Sequence, residues 1–151
     1  MNPCYGLAPQ CPGMAEGGVQ EDSESLVMQM LDEFIAAHPQ VDKSRIYIQG
    51  LSMGGIGTWN MVLSHPEKFA AAIPSCGRVP TEFYANDGAA FDALANLPMW
   101  VAHAEDDSSV NIQGSDDAVA ALQAHGNNSV KYYKYLPGSI TPNPHHSWEA
   151  V

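Results

Sequence analysis

The chain has 151 residues, of which 45% are hydrophobic, and its formal net charge is -11 at neutral pH. This length and apolar content are typical of one globular domain with its own core and exclude a disordered or fibrous segment. Seventeen acidic residues against six basic ones would repel a phosphate backbone or an anionic membrane surface, so neither nucleic acid nor a membrane is an expected partner.

Targeting and cysteine signals are weak. No apolar run approaches the roughly 20 residues that a membrane-spanning helix needs. The first residues lack the basic start and apolar stretch of a signal peptide, so secretion or a periplasmic location would require a leader upstream of this sequence. Cys4, Cys11 and Cys76 are odd in number and lack metal-ligand spacing, which indicates neither a disulfide framework nor a metal site. Local pairing of Cys4 with Cys11 after export is the alternative to free or buried thiols.

The N-terminal part is predicted to hold one helix. Residues 4–12 form a short extended segment that ends at Pro9 and Pro12, and a glycine-rich acidic loop continues through Asp22. Ser23 is the predicted N-cap of a helix with apolar side chains at three- and four-residue spacing. These predicted core residues are Leu26, Val27, Met30, Leu31, Phe34 and Ile35.

The remaining sequence alternates predicted strands with predicted helices. Four short runs rich in apolar residues read as strands, at 45–49, 69–75, 99–104 and 130–136. Helices are predicted at about 53–64, near 91–94, and up to His125, where Gly126 occupies the C-cap position. This alternation predicts an α/β fold with a mostly parallel sheet and helices on both faces.

A cluster of glycines around one serine is typical of a catalytic turn. Residues 50–54 read Gly-x-Ser-x-Gly between a predicted strand and a predicted helix, the context of a nucleophile elbow. Such a turn lifts the Ser52 hydroxyl clear of the sheet, and we expect Gly50 and Gly54 to avoid collisions with the strand and helix. The Met53 amide, at the start of the helix, would stabilise an oxyanion. The alternative is a tight turn with an incidental serine.

A serine nucleophile needs a base and an orienting acid. Asp106 and Asp107 follow the 99–104 strand at its carboxyl end, where functional groups gather in such sheets. His145 and His146 follow the last strand, and the chain order serine, aspartate, histidine is that of α/β-hydrolases. Solvated turn acids and structural or surface histidines are the alternative interpretations. His103, within a predicted buried strand, is interpreted as structural, with a supporting role for the Asp107 turn.

Several blocks of the sequence resemble one family of enzymes. The blocks are DKSRIYIQGLSMGGIGTWNMVLSHPEKFAAAIPSCG, MWVAHAEDDSSV and NPHHSW. They look like the corresponding segments of α/β-hydrolase esterases of the feruloyl-esterase and polyhydroxybutyrate-depolymerase-like group. The resemblance implies that Asp107 is the triad acid, with Asp106 as runner-up, and that His145 is the base. If the motif is read one place later, His146 takes that role.

The resemblance implies a serine hydrolase that cleaves small-molecule carboxylic esters through an acyl-enzyme, with no metal or other cofactor. A prolyl-oligopeptidase-like peptidase would use the same machinery. A catalytically impaired fragment that acts as an interaction module is the alternative from another class of protein.

Two departures from the family bear on the domain. Its members carry earlier strands and a His-Gly loop that donates the second oxyanion-hole amide, and they continue into a closing helix, so this single domain reads as truncated at both ends. The missing third strand would leave the 45–49 strand with an open edge, which another chain can pair with. We therefore expect a homo-oligomer, a swapped edge or a companion chain.

Overall fold

The computed structural model describes residues 4–9 and 23–150. It divides into two compact units, Met1–Lys43 and Ser44–Val151, and the single domain stays a prediction. The predicted acidic loop and Cys11, the predicted partner of Cys4, fall on residues 10–22, outside the described residues.

The first unit contains one helix. Helix α1 spans Ser23–Ala37 and begins at the predicted residue, whereas residues 4–9 adopt no regular secondary structure. The Tyr5 ring lies 5.2 Å from the rings of Phe34 and His38. The predicted apolar stripe is only half-buried, and Leu26 is 56% exposed. Met28 is the buried residue of this helix, and the predicted core residues other than Leu26 are half-buried beside it.

The second unit contains a parallel sheet of four strands in sequential order, β1-β2-β3-β4. The strands are β1 Tyr47–Leu51, β2 Ala71–Ser75, β3 Trp100–Ala104 and β4 Lys131–Tyr135. Strand β1 begins two residues later than predicted because Lys43–Arg45 forms a 3-10 turn. The predicted α/β fold with a parallel sheet is confirmed.

Helices connect the strands. Their bounds are α2 Met53–Ser64, α3 Ala85–Gly88 and α4 Gln113–Ala124, with 3-10 segments at Pro66–Lys68, Thr81–Tyr84, Ala89–Leu94 and Pro144–Ala150. Helix α2 has the predicted bounds. The C-cap of helix α4 is His125, one residue before the predicted Gly126, which follows it with a left-handed φ of 90°. No described helix combines the length and apolar character needed to cross a bilayer.

The core of this unit lies where helices and connecting segments pack against the buried central strands. Its largest side chains with no solvent exposure are Trp59 and Val62 of α2, Phe91, Leu94, Val101 of β3 and Leu122 of α4. Strands β2 and β3 are the most buried, as their apolar runs predict. Because the strands are parallel, their carboxyl ends meet at one edge of the sheet, and the turns that leave them lie together there.

Candidate active site

The turn after β1 holds Ser52 in a strained conformation. Ser52 joins β1 directly to α2, with φ 55° and ψ -117°, a region that residues other than glycine rarely occupy. A Cβ added to Gly50 would lie 2.1 Å from the Gly54 carbonyl oxygen, so this position accepts only glycine. The expected collision at Gly54 is wrong, because a Cβ there meets nothing within 4 Å. The close approach belongs to Gly55 instead.

Gly55 and Gly77 lie where the first turn of α2 meets the chain after β2. A Cβ on Gly55 would lie 2.4 Å from the Ser75 carbonyl oxygen, and one on Gly77 would lie 2.6 Å from the Gly55 carbonyl carbon. Both glycines therefore allow backbone to touch backbone. The Ser52 amide donates to the Ser75 carbonyl at 3.1 Å and contacts Cys76 Sγ at 3.3 Å. These contacts hold the Ser52 turn against its neighbour.

Ser52, His145 and Asp107 form one hydrogen-bonded chain. His145 Nε2 lies 2.8 Å from Ser52 Oγ, and His145 Nδ1 lies 2.7 Å from Asp107 Oδ2. An ionised carboxylate can only accept, so Nδ1 carries the imidazole proton and Nε2 accepts from the serine hydroxyl. His145 reaches this place from the 3-10 segment Pro144–Ala150, far along the chain from both partners.

Asp107 is built to stay ionised. Its side chain has no solvent exposure, and its Oδ1 accepts hydrogen bonds from the amides of Ser109 at 2.8 Å and Val110 at 3.0 Å. Burial acts to raise the pKa of Asp107, but the hydrogen bonds from His145, Val110 and Ser109 together lower it below its ordinary value. A charged carboxylate therefore faces the imidazole at neutral pH.

Comparisons with known proteins find an esterase and a depolymerase that are similar to this chain. A thermostable esterase of known structure is 36% identical to the chain and superimposes with a TM-score of 0.71, over 82% of this chain and 32% of that protein. The chain therefore has a partial α/β-hydrolase fold. Poly(3-hydroxyalkanoate) depolymerase C from Paucimonas lemoignei is 41% identical over 51 residues, which are 34% of this chain and 12% of the depolymerase. The predicted resemblance to α/β-hydrolase esterases is confirmed.

The comparisons also include peptidases. The model of the prolyl oligopeptidase family matches residues 24–94 of this chain. An acylaminoacyl peptidase from Pyrococcus horikoshii superimposes with a TM-score of 0.61 at 19% identity, over 82% of this chain and 25% of that protein. This last likeness concerns the fold alone. The chain spans about a third or less of each of these full-length proteins.

The two runner-up residues, Asp106 and His146, have other partners. Asp106 Oδ2 accepts a hydrogen bond from the Gly138 amide at 2.8 Å. His146 Nδ1 lies 3.4 Å from Glu149 Oε1, and its ring packs on Trp148 with centroids 4.7 Å apart. The same Trp148 ring meets His145 edge to face at 5.5 Å. Of each adjacent pair, the structure thus brings Asp107 and His145 to Ser52, while their catalytic roles stay predictions.

Met53 is the first residue of α2. The first hydrogen bond of the helix runs from the Ile56 amide to the Ser52 carbonyl at 3.0 Å. The amides before Ile56, including that of Met53, therefore have no acceptor within the helix and lie at its positive end beside the Ser52 hydroxyl. An anion that develops on a substrate bound to Ser52 would be stabilised there.

Cys76 is the residue of the site that the sequence did not reveal. It follows β2 with a left-handed φ of 40° and no solvent exposure. One ligand atom each from Cys76, Asp107 and His145 lies within 4.8 Å of the others, close enough to consider a metal. Burial, however, raises the pKa of the Cys76 thiol to about 11, and metals bind the thiolate. Asp107 and His145 already satisfy one another, so the cluster suits proton transfer better than metal binding.

Proposed function

We propose that the chain hydrolyses carboxylic esters, with Ser52 as nucleophile, His145 as general base and acid, and Asp107 as the acid that orients the imidazole. The observation that carries this proposal is the hydrogen-bonded chain from Asp107 through His145 to Ser52, with contacts of 2.7 and 2.8 Å. The 36% identity to a thermostable esterase supports an ester as the substrate. The depolymerase relative supports it as well, since poly(3-hydroxyalkanoate) is a polyester.

The mechanism follows from the direction of each hydrogen bond. His145 Nε2 removes the proton from Ser52 Oγ while the oxygen attacks the ester carbonyl carbon, which gives a tetrahedral intermediate. The imidazolium then donates this proton to the departing alcohol oxygen as the acyl-enzyme forms. Water then attacks the carbonyl carbon of the acyl-enzyme while His145 removes its proton. The acid is released as Ser52 Oγ takes this proton back. Asp107 keeps the Nδ1 proton in place and stabilises the imidazolium without becoming protonated.

The oxyanion of the intermediate is proposed to accept a hydrogen bond from the Met53 amide. This amide lies at the positive end of α2, where charge that develops in the transition state is stabilised most. Each step is a proton transfer or an acyl transfer between Ser52, His145, the substrate and water. The mechanism therefore needs no metal and no organic cofactor.

A fluorophosphonate probe tests the proposal on the 151-residue chain. Its phosphorus forms a bond to an activated serine oxygen as fluoride leaves, and we expect one label on Ser52, detected by mass spectrometry. The variants Ser52→Ala and His145→Ala should abolish labelling, whereas His146→Ala, the matched control, should keep most of it. No labelling of the folded chain, or equal loss in the two histidine variants, would contradict the proposal and favour an impaired interaction module.

The adjacent aspartates provide a second matched pair. We expect Asp107→Asn to lower kcat by about 10⁴-fold, because the amide favours the wrong imidazole tautomer. Asp106→Asn should stay within about threefold of the parent, since Asp106 contacts the Gly138 amide instead. Kinetics with a 4-nitrophenyl ester measure both variants. A deeper loss in Asp106→Asn would transfer the role of the acid to Asp106.

A peptidase is the second candidate, because the prolyl oligopeptidase family model matches residues 24–94. The same three side chains would cleave an amide with an amine as the leaving group. An ester and an anilide of one acyl group, compared at equal concentration, separate the two functions. A kcat/KM for the anilide equal to or above that for the ester would favour the peptidase.

We also propose that the free edge of β1 pairs with another chain, either a second copy or a companion. Among the described residues β1 pairs with β2 alone, and Tyr47 and Leu51 of this strand are 63% and 45% exposed. Unpaired backbone groups on such an edge favour strand addition. Light scattering at micromolar concentration tests this, and a monodisperse monomer would contradict it for a second copy. If the partner is a companion chain, a peptide with a matching strand pattern should bind the β1 edge. Failure of this peptide to bind would contradict pairing with a companion chain.

A further inference from the structure

A second imidazole contacts the acid of the site from inside the fold. His103 lies in β3 with no solvent exposure. Its Nε2 lies 3.0 Å from the Val110 carbonyl oxygen and 3.2 Å from Asp107 Oδ2, the oxygen that also meets His145. Its Nδ1 lies 2.8 Å from Ser115 Oγ. His103 therefore connects Ser115, near the start of α4, to the Asp107 carboxylate.

The partners of His103 determine which of its nitrogens carries the proton. The Val110 carbonyl and the Asp107 carboxylate can only accept, so Nε2 must be a donor. Burial lowers the pKa of His103, although its contacts with Val110 and Asp107 act in the opposite direction, and the ring is neutral at neutral pH. A neutral ring with a proton on Nε2 has none on Nδ1, so Nδ1 accepts from the Ser115 hydroxyl. The Ser115 hydroxyl then donates its proton to Nδ1 and not to the Gly77 carbonyl, which lies farther away at 3.2 Å.

We propose that His103 is a positioning residue for the hydrolase site. Its Nε2 donates to Asp107 Oδ2, the oxygen that also meets His145, and its Nδ1 accepts from Ser115, which helps to hold the ring. The resulting chain of hydrogen bonds runs from Ser115 through His103, Asp107 and His145 to Ser52. This role rests on the proposed ester hydrolysis, because it acts through the Asp107 carboxylate and touches no substrate.

The sharing of Oδ2 has a consequence for the base. A carboxylate oxygen that already accepts from His103 attracts the Nδ1 proton of His145 less strongly than one without that bond. Loss of the His103 donor would therefore stabilise the protonated form of His145, which cannot act as base. The charged groups near His103 are Asp107, His145 when protonated, and Asp116, which pairs with Lys134 at 2.9 Å. The variants below substitute none of these charged residues.

Two amide variants separate the nitrogens of His103. The amide of Gln places a nitrogen close to the position of Nε2, whereas the shorter Asn replaces the group at Nδ1 and leaves Asp107 without this donor. We expect His103→Asn to lower kcat by about 10- to 100-fold, with a smaller change in KM, because the acid loses its fixed position. The acid limb of its kcat/KM profile should move to higher pH. His103→Gln should restore most of kcat and the parent pH profile.

Equal kcat in the two variants, or equal loss with the parent pH profile in both, would overturn the proposal. Thermal unfolding followed by circular dichroism checks that each variant folds. Should His103→Asn fail to fold, Ser115→Ala decides, since it removes the donor to Nδ1 and leaves the ring in place. Ser115→Ala should lower kcat, but by less than a variant that removes the contact between His103 and Asp107. Parent kinetics in Ser115→Ala would overturn the proposal.

A measurement on the parent chain is independent of activity. Nitrogen-15 NMR of its histidines distinguishes the two neutral tautomers, and we expect His103 to carry its proton on Nε2. The resonance is assigned with the His103→Gln variant. A proton on Nδ1 would overturn the inference even if the chain is an active esterase. A proton on Nε2 in a chain without esterase activity would contradict the proposed function alone.

Discussion

The turns after β1 and β2 each hold a residue with positive φ, but the two side chains have different surroundings. Ser52 and Cys76 each follow a strand at its carboxyl end, and both have a left-handed φ, 55° and 40°. The Ser52 hydroxyl is half-buried and meets His145 at 2.8 Å, whereas the Cys76 thiol is enclosed and its pKa is raised by burial to about 11. The surroundings of the two side chains therefore favour Ser52, and not Cys76, as the proposed nucleophile.

The largest test of this comparison removes each side chain in turn. We expect Ser52→Ala to lower kcat for an ester by about 10⁶-fold, as loss of the nucleophile does in comparable triads. Cys76→Ala should lose about tenfold or less, because Sγ contacts the Ser52 amide and not the hydroxyl. Steady-state kinetics measure both, with circular dichroism as the check on folding. A loss in Cys76→Ala as deep as that in Ser52→Ala would give the thiol a direct role.

The second test measures the reactivity of the buried thiol. A pKa of about 11 leaves roughly 100-fold less thiolate near pH 8 than an ordinary cysteine has, and burial also blocks access. We expect iodoacetamide to modify Cys76 at least about 100-fold more slowly in the folded chain than in urea. Mass spectrometry of the peptide that contains Cys76 isolates its rate from those of the other cysteines. Equal rates in the two states would mean that the turn after β2 is open.

The third test concerns the glycines where the two turns meet. A Cβ on Gly55 would lie 2.4 Å from the Ser75 carbonyl oxygen, whereas Gly54 has open space. We expect Gly55→Ala to lower the free energy of unfolding by about 1–3 kcal/mol, as overpacking does, and to lower kcat because Ser52 moves. Gly54→Ala, the matched control, should gain about 0.4–1 kcal/mol, since alanine restricts the unfolded chain. Urea denaturation measures both, and equal stability of the two variants would contradict the close contact.

Local signals predicted much of the fold. The bounds of α2 follow from the glycine cluster before it and from His65-Pro66 after it, which are signals carried by the segment itself. The end of α4 at the left-handed Gly126 was predicted in the same way, although the C-cap is His125. Strand β1 was displaced by two residues because a 3-10 turn at Lys43–Arg45 competes with an alternating pattern that begins there. Boundaries fail where two local preferences overlap.

Contacts between distant segments could not be predicted from the sequence. Ser52, Asp107 and His145 were named from spacing, chain order and family resemblance, but nothing local indicates that Asp107 has its carboxylate enclosed while Asp106 faces the Gly138 amide. The need for glycine was assigned to Gly54 when the close approach is that of Gly55 to the chain after β2. Cys76 was missed for the same reason, since its partners lie on three other segments.

The smallest expected effect is on stability in acid, and it concerns the carboxylate that faces both turns. Because hydrogen bonds hold the folded pKa of Asp107 below its ordinary value, its ionisation stabilises the fold above the unfolded pKa, about 3.9, and this contribution is lost as pH falls through the folded pKa. Asp107→Asn should therefore lose stability less steeply than the parent below about pH 4. Urea denaturation at several pH values measures how stability changes with pH in the parent and the variant. The parent slope in Asp107→Asn would mean that the buried carboxylate contributes no acid sensitivity. Ser52 and Cys76 would then differ by their exposure alone.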